Sequence, residues 1–154
     1  MNTAYTVKDF MTPDPIAVTP LDSVQTVLQR LEENHISGLP VVDEQNTLVG
    51  IVSEADLLFK ERPIHLPLYL NFLGGIIYLE PWEKFKQQIR KTLGVLVQDV
   101  MTPNPVTVKP DTPISEAADL MVEKRVNRLP VVDDQHHLVG IITRDDLLKA
   151  LKTA

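Results

Sequence analysis

The sequence predicts a mixed α+β (α/β) fold: two β-α-β-β-α repeats packed with pseudo-twofold symmetry, with a helical insert between them. Three observations carry this. The chain of 154 residues repeats itself without a gap at an offset of 90, residues 7–58 falling on residues 97–148. Each copy alternates short apolar β runs with amphipathic helical stripes. A copy of about 50 residues is short for an independent core, so the two are expected to share one.

Taken in order, each copy opens on Met-Thr-Pro, Met11-Thr12-Pro13 and Met101-Thr102-Pro103. Pro15 to Val18 reads as a short extended segment. Asp22-Ser23 then offers an N-cap, and Val24, Val27, Leu28 and Leu31 recur at helical spacing. In the second copy Thr112 is the expected cap, Pro113 suits the first turn, and Ile114, Ala117, Ala118 and Met121 form the stripe. Leu39–Val42 and Leu48–Val52 are β runs, joined as a hairpin by Asp43-Glu44-Gln45-Asn46. A second helix starts after Ser53, and after Thr143 in the second copy. The expected units are residues 1–58, an aromatic-rich helical insert at 59–96, and residues 97–154.

Composition excludes several functions. The apolar fraction of 44% and charged fraction of 23% suit a globular protein. A net charge of −6 and the lack of a clustered cationic block argue against a nucleic-acid partner. There is no cysteine, which removes disulfides, thiolate catalysis and Cys-based metal sites. The first six residues carry neither a basic nor an apolar signal region, so a cytoplasmic location is expected. The run from Leu66 to Leu79 is too short and too interrupted to span a bilayer. No Gly-rich phosphate loop, nucleophile elbow or zinc motif is present, so neither catalytic nor metal-binding residues are assigned. His136-His137 falls in a hairpin turn, and His35 ends a helix where a cation favours the dipole, as Arg125 does in the other copy.

The residues Gly140-Ile141-Ile142-Thr143-Arg144-Asp145-Asp146 suggest chemistry. Asp146 can accept two hydrogen bonds from a ribose diol, and the helix start offers backbone N–H groups to phosphate. Thr143 adds a hydroxyl, and Arg144 or Arg128 a cation. Gly50-Ile51-Val52-Ser53-Glu54-Ala55-Asp56 keeps the hydroxyl and the carboxylate, but Glu54 stands for Arg144 and Gly38 for Arg128. Ser53-x-x-Asp56 and Thr143-x-x-Asp146 read equally as capping boxes, in which the acid bonds back to the start of the helix.

The opening Met-Thr-Pro, the Leu-Pro-Val-Val-Asp strand and the Gly-apolar-apolar-Ser/Thr-x-x-Asp turn, each present twice, resemble the CBS domain family. The resemblance implies a tandem (Bateman) module, often paired into a disc, that binds adenosine-containing ligands in clefts between its two domains. Carried over by residue, one cleft would use Thr12, Asp14, Ala17, Ile36, Ser37 and Gly38 with Arg128, Ile141, Thr143, Arg144 and Asp146. The other would use Thr102, Asn104, Thr107, Val126, Asn127 and Arg128 with Ile51, Ser53 and Asp56. The first has the better charge complement and is expected to be the stronger, although an inward Asp14 would repel phosphate.

The expected function is a regulatory module that binds AMP, ADP or ATP, with S-adenosylmethionine or a cyclic dinucleotide as variants, and signals to a partner protein not named by the sequence. It needs no cofactor and is not an enzyme. The alternative is a non-catalytic interaction protein with empty clefts, acting through residues 59–96 and homodimerisation. Six of the eight aromatic residues lie in that insert. Trp82, Phe85, Ile89 and Leu93 would share one face of a helix starting at Pro81, with Lys84, Lys86, Arg90 and Lys91 largely elsewhere. That helix reads as cover for the core, as a homodimer or partner contact, or as a peripheral membrane contact.

Overall fold

The computed structural model describes residues 5–59, 69–72, 75–78 and 95–153. A 3-10 turn (Val7–Asp9) precedes β1 (Thr12–Pro13), α1 (Val24–Asn34), β2 (Gly38–Val42), β3 (Leu48–Ser53) and α2 (Glu54–Phe59). In the insert, β4 (Tyr69–Phe72) and β5 (Gly75–Tyr78) form an antiparallel hairpin, Tyr69 opposite Tyr78. The second copy follows as α3 (Val97–Val100), β6 (Thr102–Pro103), α4 (Ile114–Lys124), β7 (Arg128–Val132), β8 (Leu138–Thr143) and α5 (Arg144–Thr153). The insert is therefore not purely helical. The helix expected from Pro81 lies outside the described residues.

Both hairpins form as expected, β2 on β3 and β7 on β8, with the same register shift before Val42 and Val132. The third strand of each sheet comes from the other copy. Thr12 of β1 pairs with Ile141 of β8, and Thr102 of β6 pairs with Ile51 of β3. Glycine permits this crossing. A Cβ on Gly140 would lie 2.5 Å from Met11 Sδ and 3.1 Å from the Thr12 carbonyl oxygen, and Gly50 meets Met101 and Thr102 in the same way. The expected strand at Pro15–Val18 reduces to single parallel bridges, Val18 to Val41 and Val108 to Val131.

The exchange extends to the cores. Val7 is fully buried among Ile114, Leu129, Ile142 and Ala150 of the second copy, with Tyr5, Phe10 and Met11 beside it. Val97 is likewise buried with Val24, Val27, Leu39 and Val52 of the first. Backbone bonds hold the arms in place: Val7 N–H donates to the Thr112 carbonyl at 2.9 Å, and Val97 N–H to that of Asp22 at 2.8 Å. Instead of one common core there are two, each completed by the segment that leads into the other copy. A small cluster of Leu48, Val132 and Leu138 joins them at the pseudo-twofold axis.

Local signals explain the helix ends. Ser23 caps α1, its Oγ accepting from Thr26 N–H at 3.2 Å, while Asp22 Oδ2 accepts from Thr19 N–H instead. In the second copy Thr112 is not the cap. Pro113 occupies that position, and Thr112 Oγ1 accepts from Lys109 N–H, closing the preceding turn. Both helices end on a left-handed residue, His35 at φ 52° and Arg125 at φ 55°. Asp14 and Asn104, and Asn46 and His136, also have positive φ at matching positions. The duplication thus reaches the backbone angles.

In the second hairpin turn the N–H groups of Gln135 and His137 both donate to Asp133 Oδ1 at 2.9 Å. The His137 N–H foremost holds the Asp133 carboxyl below its usual range. A lowered folded pKa contributes stability above the unfolded value, and that stability is lost as pH falls through the folded one. Asp133→Asn is accordingly expected to flatten the fall in urea midpoint between about pH 5 and about pH 2. An unchanged acid limb would refute it.

Candidate functional site

At the β8–α5 junction the chain leaves the sheet and enters a helix within one residue, so Thr143 and Asp146 face each other across the first turn. Asp146 Oδ2 accepts from Thr143 N–H at 2.9 Å and from Thr143 Oγ1 at 3.0 Å. Ser53 and Asp56 repeat this at 2.9 and 3.3 Å. The box at Thr143 is completed by Asp146 N–H donating to Thr143 Oγ1 at 3.4 Å, and at Ser53 the acid bonds back to the start of the helix. The cap engages only one carboxylate oxygen of Asp146: among the described residues no hydrogen bond reaches its Oδ1. Capping and ligand binding are therefore compatible at this residue.

Asp146 lines an open cleft of about 1070 Å³ between the copies. Strand β1 crosses to β8 here, bringing Thr12 and Asp14 beside Ile141. Ile36, Ser37 and Gly38 arrive from the end of α1 and the start of β2, and Arg128, Thr143 and Arg144 from the second copy. All of the first expected set lies in this cleft except Ala17. That residue packs against the axial cluster of Leu48, Val132 and Leu138, and its neighbour Ile16 lines the cleft instead. Successive residues of an extended segment point opposite ways, which accounts for the exchange.

Cleft residues not singled out from the sequence include Pro15, Pro40 and Leu148, which give it apolar walls, and Glu32 and Lys149; Glu54, read from the sequence as the counterpart of Arg144, also lies here. Leu148 is 49% exposed and Ile16 36%; the signal available in the sequence was a branched apolar residue beside a motif. Five carboxylates, on Asp14, Glu32, Glu54, Asp145 and Asp146, share the lining with Arg128, Arg144 and Lys149.

The two arginines are held differently. Arg144 Nη2 donates to Asn127 Oδ1 at 2.6 Å, and Arg128 Nη2 donates to Ser37 Oγ. Burial lowers the Arg128 pKa, and the charges of Glu54 and Asp56 act in the other direction. A guanidinium stays protonated under both influences.

Part of the second expected set lies together, Ser53 N–H donating to Asp56 Oδ2 at 2.9 Å. Thr102 Oγ1 donates to Asp56 Oδ1 at a long 3.4 Å, and Ile51 faces Thr102 in the strand pair. Asn104 N–H donates to the Val49 carbonyl. Val126 packs on the second core, and Thr107 is half-buried. Asn127, placed in this set from the sequence, lines the first cleft.

Comparison with known proteins adds the following. A model of the CBS domain matches residues 7–62 and 97–153. The CBS domain-containing protein CBSX2, chloroplastic, of Arabidopsis thaliana is 40% identical over 154 residues, covering 97% of this chain and 64% of that protein. The chain thus spans less than two thirds of that relative's length. An uncharacterised protein of Methanocaldococcus jannaschii is 37% identical over 152 residues, covering 94% of this chain and 90% of that one. The crystal structure of CBSX2 in complex with AMP aligns at a TM-score of 0.73 and 38% identity, covering 97% of each chain.

Proposed function

The chain belongs to the CBS domain family, and from that premise we propose that it is a non-catalytic regulatory module. It binds an adenine nucleotide in the cleft containing Asp146 and passes the resulting change to a partner protein. The observation that carries this reading is the convergence in one cleft of Thr12, Ile36 and Ser37 from one copy with Arg128, Thr143, Arg144 and Asp146 from the other. Ile16, Ile36 and Ile141 suit the flat base, Asp146 Oδ1 the ribose hydroxyls, and the arginines with the start of α5 a phosphate. The 38%-identical structure, by its description, holds AMP, which supports the same ligand class here.

Charge narrows the ligand. Carboxylates outnumber cations in the lining, so each phosphate beyond the first enters a less favourable field. AMP is accordingly preferred over ADP and ATP. Among the described residues no helix is long and apolar enough to cross a membrane; a cytoplasmic, homodimeric protein remains part of the proposal.

Isothermal titration of the whole chain with AMP, ATP and adenosine tests this. Binding in the order AMP, then ATP, with a matching rise in melting temperature, is expected, because a ligand selective for the native state stabilises it by mass action. No heat and no thermal shift with any of them would overturn the reading and favour an interaction protein with empty clefts.

A further inference from the structure

Gly38 opens β2 as a buried residue paired with Ser53 in regular antiparallel register, and nothing in that backbone asks for glycine. Its φ lies outside the left-handed range, and a glycine weakens a strand that a side chain would support. What excludes a side chain is Arg128 of the other copy. A Cβ on Gly38 would lie 2.6 Å from Arg128 Cζ and 2.9 Å from Nε, and closer still to Nη1. Beside it, Ser37 Oγ accepts from Arg128 Nη2. The root of Arg128 stands opposite Thr143 in the β7–β8 pair. The side chain therefore starts next to the Thr143–Asp146 turn and ends on the first copy, along the cleft that these residues line. Its anchor is neutral. Five carboxylates share the lining, yet among the described residues no ion pair engages Arg128. An acid at position 37 would hold the guanidinium and cancel its charge. A serine takes one N–H and leaves the charge and the other donors to an anionic ligand.

We infer that Ser37 and Gly38 are positioning residues for the phosphate of the ligand: Gly38 clears the seat of the Arg128 guanidinium, and Ser37 fixes its orientation there. The inference rests on the nucleotide-binding reading above and assigns both residues a role through Arg128. Held at root and tip, the side chain presents its planar fork with little rotamer freedom left to lose on binding. A methyl group added at Gly38 meets the far end of a flexible side chain. That end can swing away, so the fold tolerates the methyl group while the cleft loses a placed cation.

Titration calorimetry of the whole chain with AMP and adenosine tests this. Gly38→Ala is expected to weaken AMP by on the order of tenfold and adenosine by less than about twofold, since only AMP carries the anion that Arg128 meets. The melting temperature of the ligand-free variant should stay at or above that of the native chain. Ser37→Ala, which adds no bulk, should weaken AMP by about three- to fivefold and again spare adenosine. In an Arg128→Gln background neither substitution should weaken AMP further, because no guanidinium is left to place. A general loss of packing would not produce that coupling. If Gly38→Ala does not fold, Ser37→Ala with and without Arg128→Gln decides the question. Native AMP affinity in the folded variants, equal losses for AMP and adenosine, or losses that persist undiminished in the Arg128→Gln background overturn the inference while leaving nucleotide binding intact. A native chain that takes up no AMP removes the functional reading, and this inference falls with it.

Discussion

Asp146→Ala is expected to weaken AMP binding by about 10- to 100-fold, the range for losing hydrogen bonds to a charged acceptor, whereas Asp56→Ala leaves it nearly unchanged. Both substitutions remove a capping carboxylate, and each should cost about 1 kcal/mol of stability. The common stability loss acts as an internal control, because only Asp146 combines a cap through Oδ2 with an Oδ1 that no described residue engages. Asp146→Asn sharpens the comparison: its amide oxygen can still accept from Thr143 N–H, but the NH2 group cannot accept from a ribose hydroxyl. Stability near that of the native chain with affinity near that of the alanine variant is the expected result. Equal affinity losses at Asp56 and Asp146 would overturn the ranking of the two clefts. Titration calorimetry and urea denaturation of the same preparations measure both quantities.

The repeat and its elements were legible because each depends on local chemistry. The stripe from Val24 to Leu31, the Ser23 cap and the helix ends at His35 and Arg125 are fixed by residues within a turn or two. The exchange of arms was not legible from spacing, and only the family resemblance set Thr12 beside Ile141 and Thr102 beside Ile51. Thr12-Pro13 carries the same pattern whether it pairs with its own copy or the other, and Val7 reads only as the apolar first residue of the repeat. The site followed the same division. The Thr143–Asp146 turn could be read from spacing, and the repeat offset aligned Arg128 with Gly38. That Asn127 turns to Arg144, and that the Arg128 guanidinium lies on Gly38, depends on how close the axis brings the two strands. Spacing within one copy contains no such distance.

Leu39→Ala and Leu129→Ala are each expected to destabilise the chain by about 2–5 kcal/mol, as fully buried leucines do when truncated, and each to leave a single unfolding transition. Leu39 and Leu129 are both 0% exposed and occupy equivalent positions in different cores. If each copy folded on its own, damage to one core would lower one transition and leave the other in place. The arms argue otherwise. Unfolding the first copy pulls Val7 and β1 out of the second core and sheet, and unfolding the second pulls Val97 and β6 out of the first. Neither half can lose its structure without exposing apolar surface and unpairing backbone in its mate, so the free-energy loss is felt by the whole. Scanning calorimetry with equal calorimetric and van't Hoff enthalpies in both variants is the expected outcome. Two resolved transitions in either one would mean that the exchanged arms contribute too little to couple the cores. The same coupling gives a ligand in the cleft a mechanical lever, because Thr12 and Ile141 stand on paired strands from opposite copies, and a force applied at one is transmitted to the other core.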